Sequence, residues 1–173
     1  ELPVSVIYAG GTQAWQNVDS MIALAWQTRD YASFIFLSHD WLLIKERAEK
    51  NQVLEKTVYR FCAKADLVSA YKQADFGLVL RDDTAVNRVA CPTKLYEYLA
   101  LGVIPIVKTP SLGDFEEFNY CYVTEDEFKD GFFPDKISRK NMILQNLRAV
   151  ELLRERFIHG ANQLKAMFND HDS

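Results

Sequence analysis

The residues best suited to chemistry lie in one run, Cys91-Pro92-Thr93-Lys94-Leu95-Tyr96-Glu97-Tyr98, which continues through Leu99-Ala100-Leu101-Gly102 into Val103-Ile104-Pro105-Ile106-Val107. Pro92 suits the first turn of a helix, where a missing N–H costs nothing. The first N–H groups of such a helix are free donors to an anion. Lys94 adds a positive charge at that end, against the helix dipole, which is unfavourable unless an anion binds there. Glu97 follows one turn later, within reach of a ribose diol when phosphates dock on the helix N-terminus. As an ordinary surface pair, Lys94 and Glu97 would contribute only about 0.2–0.5 kcal/mol.

Three other segments carry polar groups where a strand ends. Tyr8-Ala9-Gly10-Gly11-Thr12 leads into Gln13, Trp15 and Gln16. Glycines after a strand let a ligand approach the backbone, but the run is not GxGxxG, which disfavours a dinucleotide. Arg60-Phe61-Cys62-Ala63-Lys64 forms a loop that either flanks a nucleobase or packs on itself. Arg81-Asp82-Asp83-Thr84 through Asn87-Arg88 is a long polar loop of the kind that contacts substrate. Its paired aspartates raise Mg²⁺ as a ligand, yet no second acidic cluster completes a site, so a hydrogen-bonding role or a solvated turn is favoured. No Ser/His/Asp or Cys/His constellation appears, and His39, His159 and His171 lie outside these segments. Covalent catalysis is therefore not supported.

The elements that position these segments alternate. Apolar runs over 3–9, 33–37, 57–61, 76–80 and 104–107 read as strands, with 121–123 as a sixth. Helical spacing appears over 13–28, 40–50 with Asp40 as N-cap, 67–73 with Asp66 as cap, and 92–101. This alternation predicts an α/β fold: a doubly wound, mostly parallel Rossmann-like sheet with helices on both faces. In such a sheet, ligands bind beyond the carboxyl ends of the strands, where all four segments fall. At the tail, Ile143, Leu147, Val150, Leu153, Phe157, Ala161, Leu164 and Phe168 recur every three or four residues. They predict a long amphipathic C-terminal helix over 137–169, longer than one small sheet needs for cover.

Composition narrows the function classes. The 173 residues correspond to one domain. With 49% hydrophobic and 25% charged residues, disorder and a fibrous class are excluded. A net charge of −4 and a pI near 5.4 give no general attraction to nucleic acid. Residues 41–95, however, hold ten Lys/Arg against seven Asp/Glu, either solvated surface or a face that holds an anion. Residues 110–135 hold eight Asp/Glu and one Lys. The longest apolar run, 99–107, is broken by Gly102 and Pro105 and is too short for a membrane span, which needs about 18 residues or more. No signal peptide opens the chain. Cys62, Cys91 and Cys121 lack metal-ligand spacing, and their odd number fits a reducing compartment.

The ordered set of segments resembles retaining, GT-B-type glycosyltransferases of family four. P-T-K-L-Y-E-Y-L-A-L-G-V-I-P-I-V is similar to their donor-binding signature. Asp66 to Leu78 resembles their short helix followed by Ala-Asp and a strand. Tyr8-Ala9-Gly10-Gly11 resembles their opening strand and glycine turn, and Trp15-Gln16 a variant seen in polysaccharide-building members. The resemblance covers residues 3–113. It implies the carboxyl-terminal, donor-binding half of a two-domain enzyme, with the amino-terminal acceptor domain absent and the fragment alone inactive. The implied activity is transfer of a hexosyl-type sugar from a nucleotide-sugar to a glycan or lipid-linked acceptor in surface polysaccharide synthesis. The full enzyme would be cytoplasmic or peripheral at the inner face of the membrane, and would need neither a cofactor nor a metal.

By position, the resemblance puts Glu97 on the ribose hydroxyls. Pro92, Thr93, Lys94, Leu95 and the helix N-terminus would hold the diphosphate, with Lys94 and Glu97 central to catalysis. Gly10 and Gly11 would line the diphosphate and sugar, and Arg60 and Phe61 the base. Two positions depart. A sugar-binding acid eight residues before the ribose glutamate is Val89 here, with Asp82, Asp83 or Asn87, beside Arg88, as candidate replacements. The basic residue after the glycine turn is represented by Gln16. A receiver-like signalling domain is disfavoured, because Gly10-Gly11 and Phe61-Cys62 stand where its acids belong. A non-catalytic nucleotide-sugar-binding or assembly module of the same fold is the remaining alternative.

Overall fold

The computed structural model describes the backbone of residues 3–50 and 56–169, and side chains through residue 163. Among these residues six strands form one sheet: β1 (Val4–Ala9), β2 (Ala32–Leu37), β3 (Thr57–Arg60), β4 (Phe76–Val79), β5 (Ile104–Val107) and β6 (Val123–Thr124). Their order is β3-β2-β1-β4-β5-β6. Every pairing is parallel, from Val4 opposite Ala32 at one seam to Val107 opposite Thr124 at another. The α/β, doubly wound arrangement expected from the sequence is present. β4 and β5 are buried at every position, as strands covered on both faces must be. Pro105 fits within β5 because the Ile104 N–H bonds Asp75 O on the β4 side. The missing donor then faces the other seam, where pairing to β6 starts only at Ile106.

Among the described residues, seven α-helices surround the sheet. On one face lie α1 (Val18–Gln27), α2 (Trp41–Lys50) and α6 (Glu125–Lys129), packing Met21, Ile22, Ile44 and Phe128 on Val6, Phe34, Phe36 and Phe76. On the other lie α3 (Leu67–Tyr71), α5 (Thr93–Ala100) and α7 (Lys136–Asn169), packing Tyr71, Leu95, Tyr98, Leu99 and Ala149 on Ile7, Ala9 and Val79. The short α4 (Ala85–Val89) sits between β4 and α5. Each strand's alternation of side chains thus feeds two cores.

Several expectations change. The helix over 13–28 divides into a 3-10 turn, Ala14–Gln16, and α1, because Asn17 adopts a left-handed conformation (φ 55°) and donates Nδ2 to Leu80 O at 2.8 Å. That tether ties the start of α1 to the end of β4. The Asp66 side chain makes no capping bond; a 3-10 turn over Lys64–Asp66 leads into α3 instead. Asp40 does stand at the start of α2, with its carbonyl accepting the Ile44 N–H, but its carboxylate accepts the Thr12 hydroxyl. The long polar loop contains α4, capped by Thr84 Oγ1, which accepts the Asn87 N–H at 3.2 Å. The sixth strand starts at Val123, because the Cys121 N–H and carbonyl are both engaged by the Asn146 side chain.

The tail helix spans Lys136–Asn169, and its length has a structural use. Arg139 bonds Asp75, just before β4, while Val150 and Leu153 pack on the α5 face. The helix therefore runs from below the amino ends of the strands up one flank of the sheet. The predicted stripe is only partly buried: Leu147 and Phe157 are exposed, whereas Asn146 and Ala149 are the buried positions. Leu164 and Phe168 have side chains outside the described residues. Among the described residues, no helix is long and apolar enough to cross a membrane.

Candidate functional site

β2 and β3 lie on one side of β1, and β4, β5 and β6 on the other. The connections leaving β1 and β4 therefore diverge and open a crevice beyond their carboxyl ends. The Gly10-Gly11 turn, the segment after β4 and the start of α5 meet there.

The turn is built around Tyr8. Its hydroxyl donates to Gly11 O at 2.6 Å, and its ring carries the Lys94 ammonium 3.9 Å from the centroid. Gly10 is glycine because of what lies against it: a Cβ there would stand 2.5 Å from Lys94 Nζ and 2.9 Å from the Tyr8 hydroxyl. Lys94 makes one long hydrogen bond, to Gln16 Oε1 at 3.4 Å. It forms no ion pair with Glu97, so the surface pair is ruled out. Burial pushes its pKa down to about 7; the nearby Arg81 guanidinium adds to this, and Glu97 opposes it. A cation–π contact contributes about 0.5–2 kcal/mol, less than a buried ammonium loses in hydration.

Arg81 stands two residues after β4. Its Nε is buried and, among the described residues, has no hydrogen-bond partner. The two acids that follow it are engaged elsewhere. Asp82 pairs with Lys108 at 2.9 Å, and hydrogen bonds from Asn17 and Lys108 hold its pKa low. Asp83 takes the Arg88 guanidinium on both oxygens, at 2.6 and 2.8 Å. The paired aspartates thus face different cations and share no common point. Of the basic residues counted over 41–95, Lys45, Arg47 and Lys50 also pair with carboxylates. Among the described residues, neither Lys94 nor Arg81 forms an ion pair with a carboxylate.

Glu97 projects from the same face of α5 as Lys94. Its Oε2 accepts the Tyr71 hydroxyl at 3.0 Å, and Tyr71 is fixed edge-on against Tyr98. Burial raises the Tyr71 pKa, and Glu97 raises it further, so the phenol stays a donor. Glu97 lines a cavity of about 270 Å³ with Gly10, Gly11, Ser38, His39 and Phe61. Phe61 is exposed and meets His39 edge-on at 5.9 Å. A second cavity of about 530 Å³ opens on the other side of the turn, lined by Trp15, Arg81, Asp82, Val86 and Asn87. Gly10 borders the first cavity and Arg81 the second, with Lys94 between them. The crevice thus offers a carboxylate at one end, two cations toward the middle and polar side chains beyond.

Gly10, Gly11, Phe61, Lys94 and Glu97 meet at this crevice, and Gln16 joins them through Lys94. Asn87 lies in the second cavity, buried, with Nδ2 donating to Asp82 O at 2.9 Å. The other expected residues lie elsewhere. Arg60 is exposed on the edge strand β3 and does not line the first cavity. Arg88 is held by Asp83. Leu95 is buried in the core, with its N–H on Pro92 O. Pro92 and Thr93 line a separate apolar cavity of about 380 Å³ against Tyr96 and α7. Val89 is 79% exposed. Sequence reasoning placed Tyr8 and Arg81 in candidate segments without giving either a role, and gave none to Asn17 or Tyr71. Arg81 had a local signal, a charge immediately after a fully apolar run; Tyr71 had none. Among the described residues no group of three or more His, Cys, Asp and Glu could hold a metal ion.

The structure resembles solved glycosyltransferases. The catalytic domain of cholesterol-α-glucosyltransferase from Helicobacter pylori matches with a TM-score of 0.64 and 16% identity, over 87% of this chain and 99% of that one. The pneumococcal O-GlcNAc transferase GtfA, solved with UDP and GlcNAc, matches with a TM-score of 0.68 and 15% identity, over 96% of this chain and 36% of its own. A glycosyltransferase from Rickettsia africae matches with a TM-score of 0.66 and 11% identity, over 95% and 48%. This chain shares with these enzymes an α/β Rossmann-like fold, a parallel sheet flanked by helices. This chain spans less than half of the length of the last two. No protein-family model and no curated protein matches the sequence.

Proposed function

We propose that this chain is the donor-binding domain of a retaining glycosyltransferase of family four, which moves a hexosyl-type sugar from a nucleotide-sugar to a glycan or lipid-linked acceptor in surface polysaccharide synthesis. The observation that carries the reading is Lys94, partly buried over the Tyr8 ring and beside Arg81 without a carboxylate partner. The fold shared with solved glycosyltransferases supports it, as does the UDP held by one similar enzyme. Base and ribose would occupy the Phe61 cavity, with Glu97 on the ribose hydroxyls. The diphosphate would lie over Gly10 and Gly11 against Lys94, and the sugar would reach the Trp15 cavity.

Chemically, the reaction needs a stabilised leaving group. Breaking the sugar–phosphate bond leaves negative charge on the diphosphate, and preorganised cations stabilise that charge as it develops. Lys94 supplies such a cation without a metal ion. An acceptor domain would complete the enzyme, and on this reading the 173 residues alone transfer no sugar.

Titration calorimetry of nucleosides and nucleoside diphosphates tests the reading. Glu97→Ala should weaken both ligands alike. Lys94→Met should weaken the diphosphate by about 1–3 kcal/mol and spare the nucleoside. Chelator should leave diphosphate binding unchanged. Equal diphosphate affinity in wild type and Lys94→Met removes the reading's main support.

A further inference from the structure

We propose that Arg81 is the second anion-binding residue of this site, donating to the phosphate of the ligand farther from the ribose. The inference rests on the nucleotide-sugar reading above and adds a residue to it. Four observations carry it.

First, Arg81 Nε is buried with no acceptor. An unsatisfied buried donor is costly, more so in a charged group, and its retention is accounted for when a ligand supplies the acceptor. Second, the acceptors nearest in sequence are unavailable, since Asp82 engages Lys108 and Asp83 engages Arg88. Third, Arg81 depresses the Lys94 pKa. Two cations in one partly buried place repel each other until an anion lies between them. Fourth, position sets the order of contacts. Lys94 stands against Gly10, beside the cavity that holds Glu97. Arg81 lines the cavity beyond, with Trp15 and Asn87. A diphosphate running from the Glu97 side to the Trp15 side meets Lys94 first and Arg81 second.

A carboxylate on the transferred sugar would offer Arg81 the same chemistry, so the test separates the two sources. The probe is whichever of UDP, GDP, ADP, CDP and dTDP binds wild type most tightly, with its mononucleotide and nucleoside, and inorganic pyrophosphate. For Arg81→Gln, diphosphate and pyrophosphate affinities should fall roughly tenfold to hundredfold. The mononucleotide should change much less and the nucleoside not at all. Without ligand, the variant should melt at or above the wild-type temperature, because a buried donor without an acceptor has been removed.

Unchanged diphosphate affinity in Arg81→Gln, with Lys94→Met impaired, overturns this inference while leaving the proposed function standing. So does a loss confined to uronic-acid nucleotide-sugars, which assigns Arg81 to a sugar carboxylate. A lowered melting temperature without ligand overturns it too, by making Arg81 structural. Failure of every diphosphate to bind wild type overturns both readings.

Discussion

Lys94 should take up a proton when the diphosphate binds. In the free protein its pKa lies at about 7 against an ordinary 10.5. A bound diphosphate supplies the negative charge that the site lacks and restores the ordinary value. Charged Lys94 in the free protein then falls from about half near pH 7 to about 1% near pH 9. If only that form binds well, affinity drops roughly fiftyfold over that range. The other groups facing Lys94 do not share the effect. Tyr8 is shifted upward by burial, away from neutrality. Arg81 keeps its charge, and Gln16 does not titrate. The terminal phosphate, with a pKa of about 6, is already ionised. Calorimetry at about pH 8 in two buffers of different ionisation enthalpy should read uptake of about 0.9 proton, and Lys94→Met should abolish it. Flat affinity from pH 7 to 9, or the same pH dependence in Lys94→Met, refutes the argument. The sign for stability follows from the same shift. Between about pH 7 and 10.5 the unfolded chain binds more protons than the folded one, so the ligand-free protein gains stability as pH rises from 7.

Gly77→Ala should destabilise the protein by about 1–3 kcal/mol in urea unfolding, because the added Cβ would stand 2.5–2.7 Å from the buried Tyr98 ring; an unchanged midpoint would contradict that packing. Tyr71→Phe removes the donor that orients Glu97 at 3.0 Å, so nucleoside affinity should fall several-fold while pyrophosphate affinity holds. Asn17→Ala combines a left-handed backbone position with loss of the bond to Leu80 O; it should cost about 1–3 kcal/mol, and Asn17→Gly should recover the backbone share.

How much of this was legible beforehand depends on the range of each interaction. The apolar runs before Gly10 and after Asp75 were readable as buried strands, since a strand covered on both faces needs apolar residues at every position. Pro92 marked the start of α5 because its ring and missing N–H act locally. Lys94 and Glu97 could be placed on one helical face by their spacing alone. The break at Asn17 was invisible, because its cause is a carbonyl at Leu80. Cys121 looked like strand because its type fits one; Asn146 supplies its hydrogen bonds from a different element. Arg60 and Phe61 are neighbours in sequence, but only Phe61 lines the Glu97 cavity.

The sequence by itself therefore determined the alternation of elements, the crevice at the carboxyl ends of the strands and the helix bearing Lys94 and Glu97, since periodicity, capping and turn chemistry operate within a few residues. Only the tertiary structure decided which charges lack partners. Arg88 and Arg81 are the same residue type seven positions apart, yet one is neutralised by Asp83 and the other stands beside Lys94 with a bare Nε. The difference arises from where β4 ends against the Tyr8 turn, because charge pairing is settled by distance and burial across elements.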